Sequence, residues 1–191
     1  TWIMTLLYII TFGTFSGLAA SFGLLIKQLY GSAVFGAEGV SPAQYAFYGA
    51  LVGSAARVLA GPVADRVGGA RVTLVSALGI AASAAYTSFQ LSPASASEFP
   101  KFFWGMIAIF FFTGVGNAST FKQMPMIFPP RQAGGVIGWT AAIAAFGPFV
   151  FGLMFATGYT MALYWLGVVV SLIGAVMCWH FYAKPGAEMP S

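Results

Sequence analysis

The chain has 191 residues, 59% hydrophobic and only 6% charged, with 8 Lys+Arg against 4 Asp+Glu and a formal net charge of +4. So low a charged share, against roughly 25% in soluble domains, together with a mean hydropathy of +0.86, excludes an ordinary soluble globular domain. The basic residues are scattered at the ends of apolar runs, which argues against nucleic acid and for orientation in a bilayer. The single cysteine, Cys178, lies inside an apolar run and offers neither a disulfide framework nor a metal-ligand pair.

The apolar runs recur along the whole length and do not alternate with period two, as Phe102 to Thr113 illustrates, so a membrane barrel is excluded and the expected fold is an all-α membrane protein. Thr1 is not an initiator Met, and Trp2 opens an apolar helix without the basic region of a signal peptide; the chain is expected to be a segment of something longer. Six spans are predicted. The first runs from about Trp2 to Ile26 and stops at Lys27, and the second from about Gln44 to Gly61, ahead of Pro62 and the Asp65-Arg66 pair. The third covers about Val72 to Gln90. After a turn rich in Ser and Pro, the fourth covers about Phe102 to Phe121, with a continuation to Phe128 allowed because a membrane helix tolerates a residue such as Pro125. The fifth runs from about Gly135 to Ala156 and the sixth from Met161 to Tyr182, leaving a polar, frayed tail from Ala183 to Ser191.

Six spans put both termini on one side of the membrane. That side carries Arg66, Arg71, Lys122, Arg131 and Lys184, the other Lys27 and Lys101, so both termini, tail included, are expected in the cytoplasm. Trp2, Trp104 and Trp179 fall near span ends, where indoles anchor helices at the headgroups. His180, beside Trp179 and near Lys184, reads as interfacial.

Arg57 does not fit a lipid-facing helix. It lies inside the second span, about 12 Å along a helix from Asp65, and an unpaired Arg at that depth should face a bundle interior and meet a negative partner. Glu38, Asp65, Glu98 and Glu188 all fall in predicted loops or the tail, so the partner is either an acid outside this chain or a translocated anion gripped by the planar guanidinium. Gly49, Gly53, Arg57 and Gly61 form a four-residue stripe that serves either close helix packing or a ligand-facing surface. Tyr8, Phe12 and Phe15 place three aromatics on one face of the first span, as packing or as walls for a planar anion. Gly114, Gly116, Asn117, Ser119 and Thr120 make the fourth span unusually polar, as interhelical glue or the lining of a wet path. Gly134, Gly138 and Ala142 repeat the small stripe in the fifth.

Gly61-Pro62-Val63-Ala64-Asp65-Arg66-Val67-Gly68-Gly69-Ala70-Arg71 resembles the cytoplasmic loop motif of the major facilitator superfamily. Gly114-Val115-Gly116-Asn117-Ala118-Ser119-Thr120-Phe121, followed by Met124-Pro125-Met126-Ile127-Phe128, resembles the tenth helix of the nitrate/nitrite porters within it, and Gly138-Trp139-Thr140-Ala141-Ala142 to Gly147 is similar to their second nitrate signature. The resemblance spans essentially all of residues 1–191 as the second, carboxy-terminal six-helix half of a twelve-helix porter. It implies that Arg57 is the second-half arginine at the anion, that Tyr8 and Phe12 are the first-span aromatics beside it, that Gly138 is the signature glycine whose backbone approaches the substrate, and that Asn117 is a polar position of the tenth helix. It makes Gly61, Asp65, Arg66, Gly68 and Arg71 a gating loop. Ala144 and Pro148 stand where glycines are usual, and Lys122-Gln123 also departs from the pattern; these changes bear on helix bending and exchange mode.

The function so implied is secondary transport of nitrate and nitrite by alternating access, as antiport or proton symport, in an inner (plasma) membrane. The resemblance implies no chemistry on the substrate, no cofactor and no metal, and an amino-terminal six-helix half as the missing partner. The alternatives are a porter for another small anion such as a dicarboxylate, or a non-transporting six-helix membrane subunit.

Overall fold

Where proline, glycine and charge interrupt the apolar runs, the chain turns; between them it is helical. The computed structural model describes residues 1–191. The first span consists of α1 (Trp2–Tyr8), a π-helical segment (Ile9–Gly13) and α2 (Thr14–Tyr30), followed by the short α3 (Ser32–Phe35) and a 3-10 turn (Gly36–Glu38). Then come α4 (Pro42–Val67), α5 (Gly69–Ser88) and α6 (Phe99–Ile127). The fifth span is α7 (Pro130–Ala144) with α8 (Gly147–Ala156), and the sixth is α9 (Thr160–Cys178) continued by a π-helical segment (Trp179–Ala183). All six are long and apolar enough to cross a membrane.

Prolines in the first turns of α4, α6, α7 and α8 start those helices where a missing N–H costs nothing. Pro62 and Pro125, by contrast, lie inside α4 and α6 without ending them. The second span therefore does not stop at Gly61 as expected. It continues through the motif to Val67, and Gly61, Asp65 and Arg66 are helical residues rather than loop residues. The turn into α5 is made at Gly68, whose φ of 100° suits a residue without a side chain. The fifth span breaks between Ala144 and Gly147 because Pro148 cannot bond to the Ala144 carbonyl four residues back and its ring crowds it. The tail is not frayed: the Met189 N–H donates to the Phe181 carbonyl, and the Ser191 carbonyl accepts from the Ala70 N–H at 2.9 Å.

The core has two apolar layers with a polar seam between helices. Away from the termini, aromatic rings dominate, with Phe22 and Phe110 at 5.4 Å and Tyr30 and Phe102 at 5.1 Å. Nearer the termini, Met4, Leu7, Ile10, Ile80, Met124 and Cys178 pack together. Bulk solvent is absent at these depths, so hydroxyls must find protein partners. Thr11 meets Thr120 at 3.3 Å, and Thr73 meets Ser119 and donates to Gln123, each at 2.7 Å. α5 and α6 form the centre, while α4 on one side and α7–α8 on the other flank the first span. These two flanks are the least buried spans of the bundle.

Candidate functional site

The four-residue stripe of α4 divides in the fold. A helix turns 100° per residue, so each four-residue step drifts by about 40°, and the stripe winds around α4 instead of holding one face. Gly49 packs against the Phe110 ring, and Gly53 admits both the Phe15 ring and the backbone of α6. A side-chain carbon on Gly114 would strike the Gly53 carbonyl, so this is a backbone-to-backbone contact. Arg57, one turn on, is exposed within the six helices and makes no hydrogen bond or ion pair to them. It does not face the interior of this bundle, as the sequence suggested. It stands on the uncovered flank, roughly 15 Å from the end of α4 at Val67.

What Arg57 does meet is a ring: its Cζ lies 6.0 Å from the centroid of Phe121, within cation–π range. Phe121 in turn lies 6.4 Å from the Tyr8 ring, which stacks on Phe12 at 5.3 Å with an interplanar angle of 22°. Three separate spans thus bring Arg57, Phe121, Tyr8 and Phe12 together. Tyr8 is 3% exposed, and its hydroxyl makes no hydrogen bond within the chain. Phe15 leaves the expected stripe. It lies beyond the π-helical segment, whose wider turn changes the angular register, and it packs edge-on against Phe110 at 6.0 Å.

Asn117 precedes Phe121 by one turn on the same side of α6. It is 1% exposed, and neither its amide nitrogen nor its oxygen has a partner. The other polar residues of this helix act as glue, Ser119 with Thr73 and Thr120 with Thr11. Within α6, Asn117 is left with unused donors and acceptors, a costly state that a bound polar group would relieve, and the Ser76 hydroxyl on α5 is likewise buried without a partner. Gly138 lies on α7 with nothing of the chain within 4 Å of where a side chain would begin. It faces open space and makes no contact with the ring-and-cation cluster within this chain.

The motif at the end of α4 is tied to α6 by Lys122. Its ammonium donates to the Gly61 carbonyl at 2.9 Å and forms an ion pair with Asp65. Arg66 and Arg71 are exposed and have no hydrogen bond or ion pair within the chain. Gly68 is a turn residue, as its φ requires. Two neighbours of the site, Phe121 and Lys122, were not among the site residues expected from the sequence. Phe121 had a readable signal, since it lies four residues after Asn117 on one helix face.

No protein-family model matches the chain. It is 56% identical over 196 aligned residues to a probable nitrate/nitrite antiporter of Thermus thermophilus, a match that covers 100% of this chain and 43% of that protein. It is 34% identical to a nitrate/nitrite transporter of Salmonella typhimurium and 32% to one of Escherichia coli, in each case over 66% of this chain and 26% of the relative. The chain therefore matches less than half the length of each of these relatives.

Proposed function

We propose, from its similarity to nitrate/nitrite transporters, that the chain works as the second six-helix half of a major facilitator superfamily transporter that carries nitrate and nitrite by alternating access. In this reading the transporter sits in the plasma (inner) membrane with both termini of this segment in the cytoplasm, an orientation that the distribution of Lys and Arg supports. The observation that carries the reading is Arg57 itself: a permanently charged group deep in a helix, beside an aromatic ring, on a flank that no part of this chain covers. A cation at such depth is costly unless it is functional or paired.

Its planar guanidinium offers two parallel N–H donors, which match two oxygens of a planar monovalent oxyanion. The Phe121, Tyr8 and Phe12 rings form a narrow apolar wall that displaces water, and in that low-dielectric setting the charge contact is stronger. Tyr8 contributes a free hydroxyl and Asn117 an unused amide, either of which can donate to the oxygen that Arg57 leaves unbound. The opposing wall, and a second arginine, come from the amino-terminal half. Gly134, Gly135 and Gly138 of α7 have no neighbour within this chain where a side chain would begin, which leaves room for that half to approach. No bond of the anion is made or broken; the protein binds, shields and releases it.

The test is Arg57→Lys in the chain joined to its complementary half. Lysine keeps the charge and loses the fork. Since one charge-assisted hydrogen bond contributes about 1.5–3 kcal/mol, nitrate binding should weaken by roughly 10- to 150-fold while insertion and thermal stability stay unchanged. Parent-like nitrate binding and uptake by this variant would make Arg57 a structural residue.

A further inference from the structure

Beyond Arg57, the chain carries a second cation close to the same face, and its partners are unusual. Lys122 follows Phe121 directly in α6, and its ammonium sits over the Gly61 carbonyl, four residues beyond Arg57 on α4. Four residues advance a helix by roughly 6 Å, so the two cations are offset by about one turn toward the side of the membrane that holds both termini. Of the three donors on the ammonium, one goes to Gly61 and one to the Asp65 carboxylate, and the third is free. Lys122 is 36% exposed and Asp65 63% exposed, and this is the one ion pair within the chain.

We propose that Lys122 is a second anion station on the terminal side of the membrane, which takes a small planar oxyanion from Arg57, and that Asp65 fills it between passages. The proposal rests on the anion-carrier reading above. A carboxylate presents two oxygens on a planar, delocalised edge, and nitrate or nitrite presents the same edge, so an ammonium placed for one is placed for the other. The pair is half open to water, where ion pairs are weak and long side chains exchange partners readily. A permeating anion can therefore displace Asp65. Release from a single deep cation would leave the anion with one steep step to water; a second, weaker cation a turn away divides that step once the site opens to the terminal side. The return of Asp65 then removes the station from the path and favours release over rebinding.

A purely structural ion pair makes a different prediction, and the sign of two variants separates them. In the full-length protein in liposomes, nitrate KM is measured separately from each side for Lys122→Gln, Lys122→Arg and Asp65→Asn. If Lys122 is a station, Lys122→Gln raises the KM on the terminal side by about threefold to tenfold, Lys122→Arg stays near the parent, and Asp65→Asn lowers the same KM because the competing carboxylate is gone. The KM at the other side does not change. If the pair merely ties α4 to α6, Lys122→Gln and Asp65→Asn act in the same direction and lower thermal stability together. That result, or no effect of either, overturns the proposal. Should Lys122→Gln fail to fold, a parent-like Lys122→Arg together with a lowered KM for Asp65→Asn still supports it, and an unchanged or raised KM for Asp65→Asn removes it. A parent protein that binds no nitrate removes the function reading and the station together, whereas a nitrate-binding parent with silent Lys122 and Asp65 variants removes the station alone.

Discussion

At the scale of single residues, the proposed site is built from side chains that the six helices leave without ordinary partners. Arg57 has a ring in place of a carboxylate, Tyr8 an unbonded hydroxyl and Asn117 an unbonded amide. Each is a poor choice for stability alone and a sound one for a site completed by a ligand and by helices from elsewhere. Phe12 plays a different part. It stacks on Tyr8 and offers no hydrogen bond, so its contribution is width and dryness. Phe12→Ala should cost about 0.5–1.5 kcal/mol of ring contact, which is less than the loss expected from Arg57→Lys. Its main effect should be on selectivity: the ratio of nitrate to perchlorate uptake by the joined twelve-helix protein is expected to fall while nitrate affinity falls less than in Arg57→Lys. Retained discrimination would mean that Phe12 packs Tyr8 without bounding the path.

At the scale of helices, small residues do two separate jobs that look alike in sequence. Gly53 and Gly114 bring α4 and α6 into backbone contact, and a side chain on Gly114 has no room. Gly138, in a similar stripe on α7, has nothing near it. Gly114→Ala should therefore lower the stability of this chain by about 1–3 kcal/mol through overpacking, visible as a lower midpoint in thermal denaturation in detergent. Gly138→Ala should leave that midpoint unchanged and act only once the complementary half is present. Equal stability losses for the two would show that the flank of α7 is packed rather than open. The prolines divide in the same way. Pro62 and Pro125 lie inside helices that continue past them, while Pro148 breaks the fifth span opposite the first, where the Gly13 carbonyl lies against Gly147.

At the scale of the whole molecule, the bundle is closed at α5, α6 and α9 and open along α4 and α7–α8. Large apolar side chains such as Phe47, Leu51, Val58 and Phe149 are exposed there as in a lipid-facing or interface-forming surface. The proposed anion site lies along this flank with a wall on one side only. The 191-residue chain alone, reconstituted in liposomes, is expected to show no saturable nitrate uptake, whereas co-reconstitution with the complementary six helices should restore it. Saturable uptake by the single chain would show that it closes its own path, as a second copy packed on the open flank would allow.

The sequence by itself determined the fold class, the six spans and the anomaly at Arg57, because each follows from local quantities: runs of about 20 apolar residues, charges at their ends, and the cost of one cation in the middle of a helix. It also carried the resemblance that the relatives bear out. Which members of the Gly49, Gly53, Arg57, Gly61 stripe pack and which stay uncovered was decided only by the tertiary structure, because the crossing of α4 over α6 selects the residues that meet. The same holds for the pairing of Lys122 with Asp65, residues 57 positions apart, and for the ring of Phe121 between Tyr8 and Arg57. The continuation of α4 through Pro62 was visible only in the structure, since a proline in a membrane helix can either end it or leave it running. Contacts between helices depend on rotation, depth and crossing angle, and none of these is a property of a single span.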